Sequence, residues 1–434
     1  MRQFDLVAIL LVLAAGFSYL NYRLLKLPST IGLMALTLGA SILLVAVGQF
    51  VPVLPREAEV FVRRIDFSDA VLHGLLGFLL FAGALHVKLD DLARWCMPIA
   101  VLATVGVVLS TLLVGGFTWL VFVTVGVEAR PVYCLLFGAL IAPTDPIAVL
   151  GLLKQFGAPK ALEVKIAGES LFNDGVAVAV FLGLLAFTTV HESPTFLSVT
   201  THFLRDAGGG VAYGLAIGWV AYRLFKSVDN YQVEVLLSLA LVAGGYAGAE
   251  HLHVSAPIAM VVAGLLVGNQ GRSYAMSSTT VERLDDFWEL IDEILNAILF
   301  VLLGLEVLVL TFTSRLLVAG LLSIVVVLAA RFVAVGLPVL VMRRWRVFEP
   351  YTIRIMTWGG LRGGLSVAMA LSIPAIIADT VVPERDVILA VTYVVVGFSI
   401  LVQGLTVGPL VRHWIPCRTE SQNPIIATDS VTVL

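Results

Sequence analysis

The chain has 434 residues, of which 59% are hydrophobic and only 13% charged, with a mean hydropathy of +1.00. Soluble domains carry about 25% charged residues, so a water-soluble globular fold is excluded and a polytopic membrane protein is expected. The net charge of −3 is spread along the chain and says nothing about nucleic acid, which is not expected as a partner, and the three cysteines lack the spacing of a metal site or a disulfide framework.

The first apolar stretch lies at 4–22 in "MRQFDLVAILLVLAAGFSYL". One Arg precedes a run too long for a signal peptide, so it reads as a retained helix. Twelve further spans are predicted at 29–50, 68–87, 97–126, 131–153, 163–190, 206–222, 231–249, 254–270, 286–311, 316–342, 351–377 and 386–411. The expected fold is an all-α polytopic membrane protein of about 13 transmembrane helices. The connections are short, and neither the loop around 51–67 nor the tail after 415 is long enough for a regulatory domain.

Orientation follows from the basic residues of the loops. With the N-terminus outside and the C-terminus cytoplasmic, 17 lysines and arginines fall inside and 8 outside, and all six lysines are inside. Only Arg331 and Arg362 remain, both within spans.

A weak internal repeat is visible. "FAGALHV" (81–87) resembles "VLLGLEV" (301–307), and "TIGLMALTLGAS" (30–41) resembles "PIAMVVAGLLVGN" (257–269). Seven spans separate each pair, so the matched spans run in opposite directions, as in the inverted repeats of secondary transporters. These strings alone leave shared Leu/Val/Gly composition open as an explanation. On the repeat reading, 1–190 (spans 1–6) is the first repeat, 191–230 a linking span 7, 231–414 (spans 8–13) the second repeat and 415–434 a short cytoplasmic tail.

Two spans carry signs of interruption. Span 5 contains "GALIAPTDPIAVLGLL", where Pro143 and Pro146 bracket Thr144 and Asp145. Each proline removes a backbone donor and disfavours α geometry before it, so the helix is expected to open there. Span 12 contains "TWGGLRGGLSVAMAL", where four glycines surround Leu361 and Arg362. Free backbone at membrane depth survives only beside protein or a wet cavity. A crossed pair is expected, with Asp145 neutralising the positive half-helix ends and Arg362 the negative ones.

Span 6 holds "VKIAGESLFNDGVA" (164–177). Ser170 and Asp174 share one helical face, and Glu169 and Asn173 share the adjacent one. Charges centred in a bilayer cost from about 2.5 to beyond 10 kcal/mol, so each needs a role. Glu169 is expected to form a structural ion pair with Arg331. Asp174, with no evident dedicated cation, is expected to face the break with Ser170. Carboxylate, hydroxyl and backbone oxygens together suit a hard alkali cation. Burial favours the protonated form of a carboxylic acid, so proton and cation compete for one group. Binding either one discharges the site and lets it cross, which is enough for obligatory exchange.

In order along the chain, "APTDPIAV", "GESLFNDGVAV" and "TWGGLRGGLSVAMAL", with "VSAPIAMVVAGLLVGN" and "NAILFVLLGLEV", resemble the sodium/proton exchangers of the monovalent cation/proton antiporter family, in its prokaryotic Asn-Asp branch. The resemblance covers essentially all thirteen spans. It implies that Asp174 binds ion and proton, that Thr144 and Ser170 are cation ligands with the backbone at Thr144 and Asp145, that Asn173 holds the polar network, and that Glu169 pairs with Arg331. It also implies electroneutral one-for-one exchange of Na+ (and Li+) for H+ without a cofactor, elevator-like motion, a homodimer in the cell membrane of a prokaryote, and a part in pH and sodium homeostasis. Many relatives read Phe-Glu-Gly-Gly-Leu in span 3. Here the string is "FAGAL", with Ala82 at the Glu position, which keeps a potassium/proton antiporter of the same fold open as an alternative.

Other polar residues read more plainly as structural. His73, His86 and Glu306 fit interfacial or bundle-facing positions, "EHLH" (250–253) lacks enough ligands for a metal, and "RRWR" (343–346) reads as an anchor to anionic lipid. An intramembrane aspartyl protease using Asp145 and Asp174 lacks a Gly-x-Gly-Asp signature. A channel would not need a titrating carboxylate without a counter-charge.

Overall fold

The computed structural model describes residues 3–47, 53–62, 65, 67–146, 149–151, 153, 158–189, 196–310, 312–377 and 380–414. The expected tail at 415–434 lies outside the described residues, as does Lys154.

The helices are α1 (Asp5–Leu25), α2 (Ser29–Val47), α3 (Val53–Val62), α4 (Phe67–Leu85), α5 (Leu89–Val125), α6 (Pro131–Ile141), α7 (Lys160–Thr189), α8 (Phe196–Phe225), α9 (Tyr231–His251), α10 (Ala256–Leu266), α11 (Ser278–Glu306), α12 (Ser314–Met342), α13 (Thr352–Trp358), α14 (Gly364–Leu371) and α15 (Pro383–Trp414). Eight of them are long and apolar enough to cross a membrane, and α6 is a shorter apolar helix.

Local chemistry sets their ends. Asn230 accepts from the Gln232 and Val233 N–H groups at the start of α9, Ser277 from Thr280 N–H before α11, and Thr313 from Leu316 N–H before α12. Pro131 opens α6 and Pro383 opens α15, where a missing donor costs nothing. α5 stops at Gly126, whose φ of 74° only glycine adopts freely.

Two of the buried clusters show how the layers join. One joins Phe137 and Leu140 of α6 with Val367 of α14, Val391 of α15 and Leu303 of α11. The other gathers Phe81 of α4, Met260 of α10 and Trp288 of α11, with the Phe81 and Trp288 rings 4.8 Å apart. Lipid tails do not drive helices together, so close packing matters. Gly210, Gly214 and Gly218 of α8 form such a seam: a Cβ at Gly214 would lie 2.6 Å from the Ala259 carbonyl of α10. Large apolar side chains such as Val12, Leu112 and Val325 stay exposed, as a bilayer solvent permits.

Span 12 differs from expectation at its far end. Helix α14 stops at Leu371, and β1 (Ile376–Ile377) pairs antiparallel with β2 (Thr380–Val381) where the apolar run suggested helix to 377. Pro374 cannot continue the helix, and hydropathy does not distinguish a short apolar strand from a helix end.

Both expected interruptions are present, and they touch. After Ile141 the chain leaves helical geometry, and 149–151 are helical again. The second break separates α13 from α14. Asp145 N–H donates to Leu361 C=O at 2.8 Å, in an antiparallel bridge between the two breaks. Glycines allow this approach: a Cβ on Gly363 would lie 3.3 Å from Asp145 Cβ, and one on Gly360 would lie 3.2 Å from Thr144 Cγ2.

Candidate functional site

The crossing satisfies its own loose ends. Arg362 is 2% exposed, and its Nη1 donates to the carbonyls of Ala142 and Pro143 at 3.3 and 3.2 Å. These acceptors are among those that the C-terminal end of α6 leaves without helical partners, where the helix dipole favours a cation. The Arg362 N–H donates to Ser399 Oγ at 2.9 Å, and Gln403 Nε2 donates to Trp358 C=O at 2.9 Å. Ser399 and Gln403 belong to a π-helical turn of α15, the kind of irregular turn that often marks functional positions.

Helix α7 faces this crossing. Glu169 is 1% exposed and takes two hydrogen bonds from Arg331 of α12, at 2.8 Å (Nη1 to Oε1) and 2.9 Å (Nη2 to Oε2). Such paired bonds are the strongest form of carboxylate recognition. Arg331 Nε also donates to Met356 C=O of α13 at 3.4 Å. Asn173 Nδ2 reaches Glu169 Oε1 at 2.9 Å and Thr144 Oγ1 at 3.0 Å. Thr144 Oγ1 and Ser170 Oγ lie 3.0 Å apart. Thr144, Ser170, Asn173, Glu169 and Arg331 thus form one buried polar net between α7, α12 and the break after α6.

Asn173 within the net and Asp174 beside it on α7 keep acceptor oxygens that the net does not use. Asn173 Oδ1 is buried and accepts no hydrogen bond among the described groups. Asp174 is half-buried, lies within electrostatic reach of Asp145 and Glu169, and has no ion-pair partner among the described residues. Carboxylate, hydroxyl and amide oxygens are hard donors suited to an alkali cation. No group of three or more His, Cys, Asp or Glu side chains that could hold a metal ion occurs among the described residues.

Some residues near the site carry little signal in the sequence. Asp292 of α11 interacts electrostatically with Asp145, and Asn296 Nδ2 donates to the Asp292 carbonyl at 2.9 Å. Leu299, on the same stripe, meets Gly364 at the start of α14. An aspartate inside a predicted span was itself the signal. Lys165, one of the six lysines on the inner side, reads from the sequence only as an orientation charge. By contrast His73 lies 2.9 Å from Asp69 and 3.3 Å from Glu250, and His86 Nδ1 lies 2.9 Å from the Ala82 carbonyl, so neither joins the net.

A family model described as "Sodium/hydrogen exchanger, transmembrane" matches residues 7–413. The chain belongs to the sodium/hydrogen exchanger family. Among curated relatives, the Na(+)/H(+) antiporter NhaP of Pseudomonas aeruginosa is 51% identical over 414 residues, covering 94% of this chain and 96% of that one. The Na(+)/H(+) antiporter NhaH of Halobacillus dabanensis is 33% identical, over 94% of this chain and 97% of its own. In fold, the chain resembles the sodium proton antiporter MjNhaP1 of Methanocaldococcus jannaschii, with a TM-score of 0.73 at 20% identity, over 95% of this chain and 99% of that one.

Proposed function

We propose that this protein is a sodium/proton antiporter in which one cation and one proton compete for Asp174. The observation that carries the reading is the commitment of Glu169 to Arg331, which leaves Asp174 as the carboxylate of α7 with no paired cation. Thr144, Ser170 and Asn173 supply oxygens beside it, and Asp145 adds negative charge across the crossing. Either occupant discharges the site, and the empty anion pays the desolvation cost that a membrane centre imposes. The cycle therefore moves one Na+ or Li+ against one H+ and is electroneutral. Asp145 lends the cation its backbone beside Thr144, and Arg362 and the half-helix ends shape the crossing without carrying ions.

The family and the loop charges support the remaining parts of the reading. The transporter works as a homodimer in a prokaryotic inner membrane, its N-terminus outside and its C-terminus in the cytoplasm. The net and the crossing belong to a core part of each protomer that moves in an elevator-like step against a dimerisation part, and the exchange serves cytoplasmic pH and sodium homeostasis.

The test uses everted vesicles with a preset pH gradient and an internal pH dye. Sodium and lithium are expected to collapse the gradient, and potassium to have little effect. Asp174→Asn is expected to abolish the response to every cation. A response that survives this substitution contradicts the reading.

A further inference from the structure

Lys165 has none of its surface exposed. An ammonium group taken out of water needs partners, because its desolvation is otherwise uncompensated. Here three groups provide them. Lys165 Nζ donates to Glu349 Oε2 at 2.7 Å, and it sits 3.9 Å from the centre of the Trp95 ring and 4.8 Å from that of Phe348. Aromatic faces attract a cation most strongly where water is excluded. The same Glu349 oxygen accepts from Thr352 Oγ1 at 3.1 Å, and Thr352 N–H donates to the Glu349 carbonyl at 3.1 Å. Thr352 is the first residue of α13. Lys165 therefore fastens α7 to the start of the half-helix that ends at the second break.

The position of Lys165 on α7 gives this contact its meaning. Lys165, Glu169 and Asn173 are spaced by four residues, so they form one stripe about 12 Å long. Each grips a different piece of the crossing. Lys165 holds Glu349 before α13. Glu169 holds Arg331, which holds the Met356 carbonyl within α13. Asn173 holds Thr144 in the break after α6. Apolar side chains of similar volume would bury the same space at no electrostatic cost. What they would not supply is a directional, charge-assisted bond that fixes how α13 sits along α7.

We propose that Lys165 is a positioning residue for cation binding, acting through Glu349 and α13 to hold the second break in register with Asp174. The proposal rests on the exchange reading given above. It assigns Lys165 no contact with the ion.

The test titrates sodium against the full-length protein in everted vesicles, for the wild type and for Lys165→Met, Glu349→Gln, Lys165→Arg and the Lys165→Met/Glu349→Gln double variant. Each neutralising single change is expected to raise the half-saturating sodium concentration about tenfold, with the maximal rate per molecule kept within about twofold. The double variant is expected to be no worse than the worse single, because both remove one shared interaction. Lys165→Arg is expected to recover part of the affinity. Glu349 keeps 24% of its side chain exposed, so Glu349→Gln carries the test where Lys165→Met fails to accumulate. An unshifted half-saturating concentration in Glu349→Gln overturns the proposal, even if thermal stability falls. Failure of Glu349→Gln to accumulate also overturns it, since the pair then serves assembly alone. A wild type without any sodium-driven signal overturns the exchange reading instead, so the two failures are distinguishable.

Discussion

Arg362 binds the carbonyls of Ala142 and Pro143, so the charge at one helix break neutralises the exposed end of the other broken helix. The contact is reciprocal with the backbone bond from Asp145 to Leu361, and together they lock the two breaks into one unit. Arg362→Met leaves buried carbonyls without a donor. Each orphaned acceptor costs about 1–3 kcal/mol, so this variant is expected to lose thermal stability and transport together. Arg362→Lys keeps the charge but not the forked donor set, and it is expected to fold while transporting more slowly than the wild type. Melting of the purified variants alongside vesicle assays checks both. Full activity in Arg362→Met would contradict this view of the crossing.

The Glu169–Arg331 pair makes a second, different prediction. Removing one partner of a buried ion pair is destabilising by about 3–5 kcal/mol, because the survivor has no compensation. Glu169→Gln and Arg331→Met are each expected to lower the melting temperature sharply. The double variant is expected to be more stable than either single. A double-mutant cycle by thermal melting measures the coupling, and additive losses would argue against the pairing.

Much of this arrangement is legible in the sequence, and the reasons are physical. Prolines 143 and 146 and the glycines around Arg362 announce helix breaks because they act through local backbone geometry. Glu169 and Arg331 announce each other because a membrane tolerates few lone charges. Lys165 was not legible in this way. It lies near the start of a span, where a lysine ordinarily anchors at the interface, and only the fold brings Trp95, Phe348 and Glu349 around it. Asp292 was legible in principle, but its nearness to Asp145 depends on how α11 meets the second break. The pairing of Ile376–Ile377 with Thr380–Val381 was hidden because the two isoleucines continue the apolar run of the span.

The hydroxyls of Thr144 and Ser170 stand 3.0 Å apart beside Asn173. Removing either one by Thr144→Val or Ser170→Ala loosens the net and deletes a hydroxyl that the proposed exchange uses as a cation ligand. Each is expected to raise the half-saturating sodium concentration by about tenfold, the equivalent of 1.4 kcal/mol. The maximal rate is expected to fall less. Sodium titrations at fixed pH measure the split, and an unchanged titration for both variants would count against their role as ligands.

Glu349 gives a pH dependence that can be followed in stability. Burial pushes its carboxyl up, but the hydrogen bond from Lys165 and its charge outweigh that and hold the group below the usual glutamate value of 4.5. A carboxyl lowered in the folded state adds stability that is complete above its unfolded pKa and is lost as pH falls through the folded one. Melting temperature is therefore expected to drop on acidification below about 4.5 more steeply in the wild type than in Glu349→Gln. Parallel acid-melting curves for the two proteins would rule the contribution out.

Proton competition at Asp174 is tested most directly by proton release from purified protein. Sodium is added to the full-length protein in weakly buffered detergent solution, and released protons are counted against bound sodium across a pH series. The account predicts one proton released per sodium bound where Asp174 is protonated, a half-saturating sodium concentration that rises about tenfold per pH unit on acidification there, and no release from Asp174→Asn. Sodium binding that is independent of pH, or that releases the same protons from Asp174→Asn, would contradict it.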